Sequence, residues 1–268
     1  MFRCIRRAVS AALLGACFVA LPAHAAIDYT DLWFVPAESG WGVNAVQSDN
    51  FMFLTFFIYG PDNKPTWYSA DLQWNGVAYT GGLYATQGTY YAVPWNTANN
   101  LTTQVGTATF QPDQLNAYQA TLTYTVNGIG TVVKSIERQT LTTIAIGGSY
   151  VGGQAGLYSN CNSSADNSSY TDQYTLGVAQ TTGGVGTFTF VYAGANATCT
   201  LSGPLEQHGQ LYRIPGASYQ CTGGLQFSAN SATMYEIKAT AQGIEGRFAA
   251  SLPNGCQENA SFSAVLVQ

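Results

Sequence analysis

Charge, histidine and long apolar runs are scarce in this 268-residue chain, and each shortage removes a class of function. Only 9% of positions are charged, with nine Lys+Arg against fourteen Asp+Glu and a formal net charge of −5. A nucleic-acid binder needs a basic footprint to displace counterions, so nucleic acid is excluded as a partner. The two histidines, His24 and His208, leave little material for Ser-His-Asp or Cys-His catalysis. The stretch Glu206-Gln207-His208-Gly209-Gln210 reads as a turn carrying a solvated histidine. Gly-x-Ser-x-Gly elbows, His-Glu-x-x-His helices and phosphate loops do not occur. No apolar run reaches the ~20 residues of a membrane-spanning helix, and helical periodicity is nearly absent.

What is present begins with a leader. Met1 to Arg7 carries three arginines, and Ala8 to Leu21 is an uncharged apolar run closed by Pro22, Ala23, His24 and Ala25. This is the pattern of a secretory signal over residues 1–25 with cleavage before Ala26. Leu14-Gly15-Ala16-Cys17 is a competing lipoprotein box, made less natural by the apolar run continuing past it. Cleavage removes Arg3, Arg6 and Arg7 from the nine basic residues, leaving six against fourteen acidic. It also removes Cys4 and Cys17, so Cys161, Cys199, Cys221 and Cys256 remain, all in the second half. An even number of cysteines in an exported chain points to two disulfides and to a periplasmic or extracellular location. No Cys-x-x-Cys pair suggests zinc, and neither a metal nor another cofactor is expected.

The remaining chain reads as all-β. Short runs rich in Val, Tyr, Phe, Trp and Thr alternate with Gly, Asn, Asp and Pro clusters. In Tyr118 to Val126 apolar residues occupy every second position, so one face is buried and the other wet. Asp49-Asn50, Pro61 to Pro65, Asn75-Gly76 and Asn127-Gly128 mark hairpin turns. Eight strands fall between residues 31 and 141, interrupted by a loop from Tyr90 to Thr102 that Tyr91 and Trp95 would pin. A composition break at 142–149 separates this Trp-rich domain, 27–141, from a disulfide-containing domain, 150–268. The second domain holds nine strands, among them 210–215, 218–227 and a last one at 260–267. Two antiparallel β domains follow, each an eight- to nine-stranded up-and-down barrel, with β-sandwiches as the alternative. If the second half closes, its first and last strands pair and bring Cys161 to Cys256, leaving Cys199 for Cys221. An outer-membrane barrel fits poorly, because Phe51 to Tyr59 is apolar on both faces.

Trp33-x-x-Pro36-x-Glu38-Ser39-Gly40-Trp41-Gly42, followed by Tyr59-x-x-Asp62-x-Lys64-Pro65-x-Trp67, resembles a family of uncharacterised exported proteobacterial proteins. Tyr124 to Gly128 and Lys134 to Gln139 are similar to the end of the same module, so the match covers about residues 30–141. The resemblance implies a secreted or periplasmic β module and brings no catalytic residues.

Glu38-Ser39-Gly40-Trp41-Gly42 is the most unusual local sequence. Its plain reading is a tight turn in which glycines adopt φ values closed to other residues, with Trp33 and Trp41 capping a barrel end. Its sharper reading places Glu38 at the mouth of an aromatic cavity, as hydrogen-bond acceptor or general acid/base. Trp33, Trp41, Trp67, Tyr68, Trp74 and Trp95 are the candidate ligand-binding aromatics, with Trp74 and Trp95 the more exposed. The expected function is non-enzymatic recognition of a carbohydrate or small apolar ligand. A polysaccharide hydrolase using Glu38 with Asp31 or Asp71 is one rival, and a structural envelope component is another. Asp166 and Asp172 form a sparse candidate calcium site.

Overall fold

The computed structural model describes residues 27–267, so the leader, its cleavage site, Cys4, Cys17 and His24 lie outside the described residues. Eight strands build the first domain: β1 (Asp31–Phe34), β2 (Gly42–Ser48), β3 (Phe51–Tyr59), β4 (Pro65–Trp74), β5 (Tyr79–Gln87), β6 (Leu101–Pro112), β7 (Gln119–Val126) and β8 (Gly130–Arg138). Each pairs antiparallel with the next, and β8 returns to β1 through Trp33↔Arg138 and Phe34↔Glu137, closing a barrel without a free edge. Alternation decides the two faces. On β3, Met52, Leu54 and Phe56 are fully buried while Phe53, Phe57 and Tyr59 are exposed. Trp33, Phe56, Phe110, Leu83 and Leu122 fill the interior. The hairpins turn where expected, with Asp49 and Asn63 in the left-handed region and Gly76 and Gly128 at positive φ.

The second domain contains β9 (Gly148–Ser159), β10 (Ser168–Gln180), β11 (Val185–Tyr192), β12 (Ala197–Pro204), β13 (Glu206–His208), β14 (Leu211–Gly223), β15 (Phe227–Ser228), β16 (Ser231–Ala239), β17 (Gly243–Ser251) and β18 (Gln257–Leu266). β12 pairs with β14 and β18 with β9, so eight of these strands close a second barrel, while β13 and β15 are short additions to β14. The two strands expected at 210–215 and 218–227 are one strand, β14. It runs through Pro215-Gly216 because its ladder to β16 shifts register on both sides of Ile214, where a missing proline N–H costs no ladder bond. The connection between barrels is 139–147, so Ser149, placed by composition in the linker, belongs to β9.

Both disulfides form in the nested order, Cys161–Cys256 and Cys199–Cys221. The first ties the end of β9 to the start of β18, and the second links directly opposed residues of β12 and β14. Such bonds suit an oxidising compartment. Among the described residues no helix is long and apolar enough to cross a membrane. The long loop of the first barrel is held differently from expectation. Thr89 Oγ1 donates to Asn96 O at 2.8 Å and accepts from Asn96 N at 3.0 Å, Trp95 lies over Gly88, and Tyr91 is 91% exposed with its ring 4.8 Å from that of Tyr90.

The barrels meet through buried charge. Arg138 ends β8 with its guanidinium under Trp33 at 4.8 Å, and donates to Asp31 Oδ2 (3.1 Å), Ala117 O (3.0 Å) and Asp28 O (2.7 Å). Asp31 Oδ2 also accepts from Gln210 N of the second barrel at 2.9 Å. Tyr118 reaches across, accepting from Glu236 N at 2.8 Å and lying 4.8 Å from the His208 ring. Burial pushes the Tyr118 phenol up to about 12. His208 is therefore half-buried at the joint rather than solvated, because the β13–β14 hairpin inserts against the first barrel, and burial lowers its pKa. Gly209 turns this hairpin at φ +60°, and a Cβ there would stand 2.1 Å from Asp31 Oδ2. Gly209→Ala is expected to lower stability by about 1–3 kcal/mol through overpacking and strain at the joint, measured by urea denaturation. An unchanged midpoint would mean the hairpin does not dock there.

Candidate functional site

An aromatic row crosses the outer face of the first barrel. Phe57 on β3 stands opposite Gly42 on β2 and Trp67 on β4, and the β1–β2 register places Phe34 on the far side of Gly42. A Cβ on Gly42 would lie 2.8 Å from Trp33 O, so the chain carries no side chain there, and a groove opens between the flanking rings. Its volume is about 260 Å³, and its walls are Leu32, Phe34, Trp41 and Phe57 with Ser39 and Gln139 as polar groups. Phe57 is 51% and Trp67 52% exposed, and Phe53 and Tyr59 extend the patch. Exposed apolar surface of this kind marks an interaction site more often than chance. Between Asp71 and Asp113 the chain contains no charged residue at all, so β5, the long loop and β6 add none to this barrel.

The Glu38 turn closes the adjacent barrel mouth. Lys134 Nζ donates to both Glu38 oxygens at 2.8 and 2.7 Å, Trp41 Nε1 donates to Glu38 Oε2 at 2.9 Å, and the ammonium lies 5.7 Å from the Trp41 ring centre. Hydrogen bonding from Lys134, then from Trp41, holds the Glu38 carboxyl below its usual range. Below it, Tyr124 packs edge-on to Phe56 at 5.4 Å, so the mouth opens onto filled core. Glu38 thus ties Lys134 and Trp41 together as a hydrogen-bond acceptor.

The sequence candidates divide accordingly. Trp41 lines the groove while also packing on the core and holding Glu38, and Trp67 stands beside the groove, opposite Phe57 on the outer face. Trp33 is fully buried and Tyr68 packs on the core, because both occupy inward positions of their strands. Trp74 sits at the opposite barrel end, 4.9 Å from Tyr79, and is half-buried rather than prominent. Trp95 is 65% exposed in the long loop, over Gly88. Asp31 is locked with Arg138 at the far end of β1 and Asp71 lies on the outer wall opposite Phe53, so neither joins Glu38 as a catalytic pair. Asp166 lies in the 3-10 turn Ser164–Asp166 and Asp172 on β10, and the described residues contain no group of three or more His, Cys, Asp or Glu.

Two features escaped the sequence reading. At the joint, a groove of about 500 Å³ runs over Gly153, Ala155, Ser261 and Ser263, rimmed by Asp28, Asp172, Lys238 and Glu245. Lys238 pairs with Asp28 at 2.7 Å across the barrels, and Arg247 with Glu236 at 3.3 Å. Its lining comes from distant segments, so no local motif announces it. The second is Glu258, 1% exposed inside the second barrel.

The fold and the surface define a tandem eight-stranded barrel protein with an aromatic outer face. No family model matches the chain, and no curated protein matches it.

Proposed function

We infer that the protein recognises a carbohydrate through the aromatic face of its first barrel, without turnover. The observation that carries this reading is the Phe34–Gly42–Phe57–Trp67 row: rings on successive strands with a glycine-floored groove between them. Strand spacing of ~4.8 Å sets adjacent rings roughly one sugar unit apart, so an uncharged glycan lying across the strands meets a ring on each side of the groove. Flat apolar faces suit the C–H faces of pyranose rings, while Ser39 and Gln139 supply hydrogen bonds at the edge. A small apolar ligand in the Gly42 groove is the second reading, favoured by the apolar walls.

Tryptophan fluorescence titrated with cellohexaose and maltohexaose tests this. The exported protein is expected to show saturable quenching with one of them, and Trp67→Ala to weaken binding by about 1–3 kcal/mol, the range found for ring-stacking losses, while the near-ultraviolet circular dichroism of the core survives. Undiminished binding in Trp67→Ala would contradict the assignment. Binding of an apolar dye, displaced by neither sugar and lost in the same variant, would favour the second reading.

A further inference from the structure

Glu258 lies on β18 opposite Tyr158 of β9 and faces the barrel interior. Tyr170 of β10 donates its hydroxyl hydrogen to Glu258 Oε1, while Oε2 is buried with no hydrogen-bond partner. Tyr158 and Tyr170 stack at 4.8 Å, and Tyr219 of β14 stands alongside. Gln154 of β9 donates to the Tyr170 hydroxyl at 3.4 Å and accepts from Tyr192 of β11 at 2.9 Å. A further charged group acting on this carboxyl is Asp172, also an anion. Two residues before Glu258, Cys256 is bonded to Cys161, so the acid sits where β9 and β18 are stapled together, beside β10.

An ionised carboxylate here would be a buried anion facing neutral phenols and a second anion, a state that costs several kcal/mol unless the group keeps its proton or the structure opens. We propose that Glu258 is a proton-operated latch on the seam of the second barrel: the neutral acid holds β9, β10 and β18 closed, and its ionisation loosens them.

Burial raises the Glu258 pKa above 4.5 against the opposing hydrogen bonds of Tyr170, Tyr158 and Tyr219, and Asp172 adds to the rise. Burial raises the surrounding phenols above 10.0 as well, so Tyr158, Tyr170, Tyr192 and Tyr219 stay neutral across the range where Glu258 titrates. The sign follows directly. A carboxyl whose folded pKa is raised contributes stability that is complete below the unfolded value and is lost as pH rises toward the folded one. Within that window the folding equilibrium constant falls about tenfold per pH unit. His208 works in the other direction, because its lowered pKa makes stability fall as pH drops below 6.5. Comparison with a Glu258 variant that retains His208 separates the two.

The experiment is urea unfolding of the exported protein and of Glu258→Gln from pH 5 to 8.5, followed by tyrosine near-ultraviolet circular dichroism. The expected result is a ratio of folding constants, wild type over variant, that falls as pH rises, with a limiting slope of about tenfold per pH unit. Parallel pH profiles would overturn the proposal. Carbon-13 NMR of the Glu258 carboxyl in the wild-type protein gives a second test that needs no variant. A titration midpoint above 4.5 is expected, and one at or below 4.5 would overturn the latch.

Discussion

Replacing Cys161 and Cys256 by serine lowers the stability of the second barrel by about 4.7 kcal/mol, the chain-entropy value for a closed loop as long as their sequence separation of 95. The same reasoning assigns about 3.4 kcal/mol to Cys199–Cys221, whose separation is 22. The order of the two losses is the sharper expectation, because it depends on loop length alone. The long-range bond also spans the strands that close the barrel, so the unfolded chain regains the freedom of nearly the whole second domain. Urea unfolding of the two serine double variants measures both losses. Equal losses, or a larger one for Cys199–Cys221, would show that strain or residual structure outweighs chain entropy here.

Asp31→Ala is the second large effect. It leaves the Arg138 guanidinium buried beneath Trp33 without its carboxylate, and breaking one partner of a buried pair costs about 3–5 kcal/mol. Burial already lowers the Arg138 pKa, with Asp31 opposing the shift. Asp31 also accepts from Gln210 N, so its removal strikes the joint as well as the first barrel. Differential scanning calorimetry is expected to show one transition for the parent and two for Asp31→Ala. One transition at an unchanged temperature would mean that the ion pair does not couple the barrels. Replacing Asp31 and Arg138 together by apolar residues is expected to cost less than Asp31→Ala, since no charge is then stranded.

Much of the fold was legible because alternation and turn chemistry are local. Asn75-Gly76 and Asn127-Gly128 marked hairpins, and the period of two in Tyr118 to Val126 separated wall from core. The nested disulfides followed from closure of the second barrel. The candidate site was legible in part. Trp67 and Trp41 were chosen by residue type, but their meeting with Phe34 and Phe57 depends on register across four strands, and Gly42 contributes by having no side chain. The buried ion pair at the joint is non-local, joining residues 31 and 138 of the first barrel. A signal for Glu258 did exist. It holds an inward position two residues before Ala260 and four before Phe262, so extending the last strand from 260 back to Gln257 puts a carboxyl on the buried face. Arg138 carries the same mark, in phase with the buried Ile136 on β8.

Amide chemical-shift mapping on the isotopically labelled protein titrated with cellohexaose, and separately with maltohexaose, tests the recognition claim most directly. Saturable shifts confined to Phe34, Ser39, Gly42, Phe57 and Trp67 with one of the two sugars are the predicted result. Shifts centred on the joint at Gly153, Ser261 and Ser263, or none with either sugar, would contradict it.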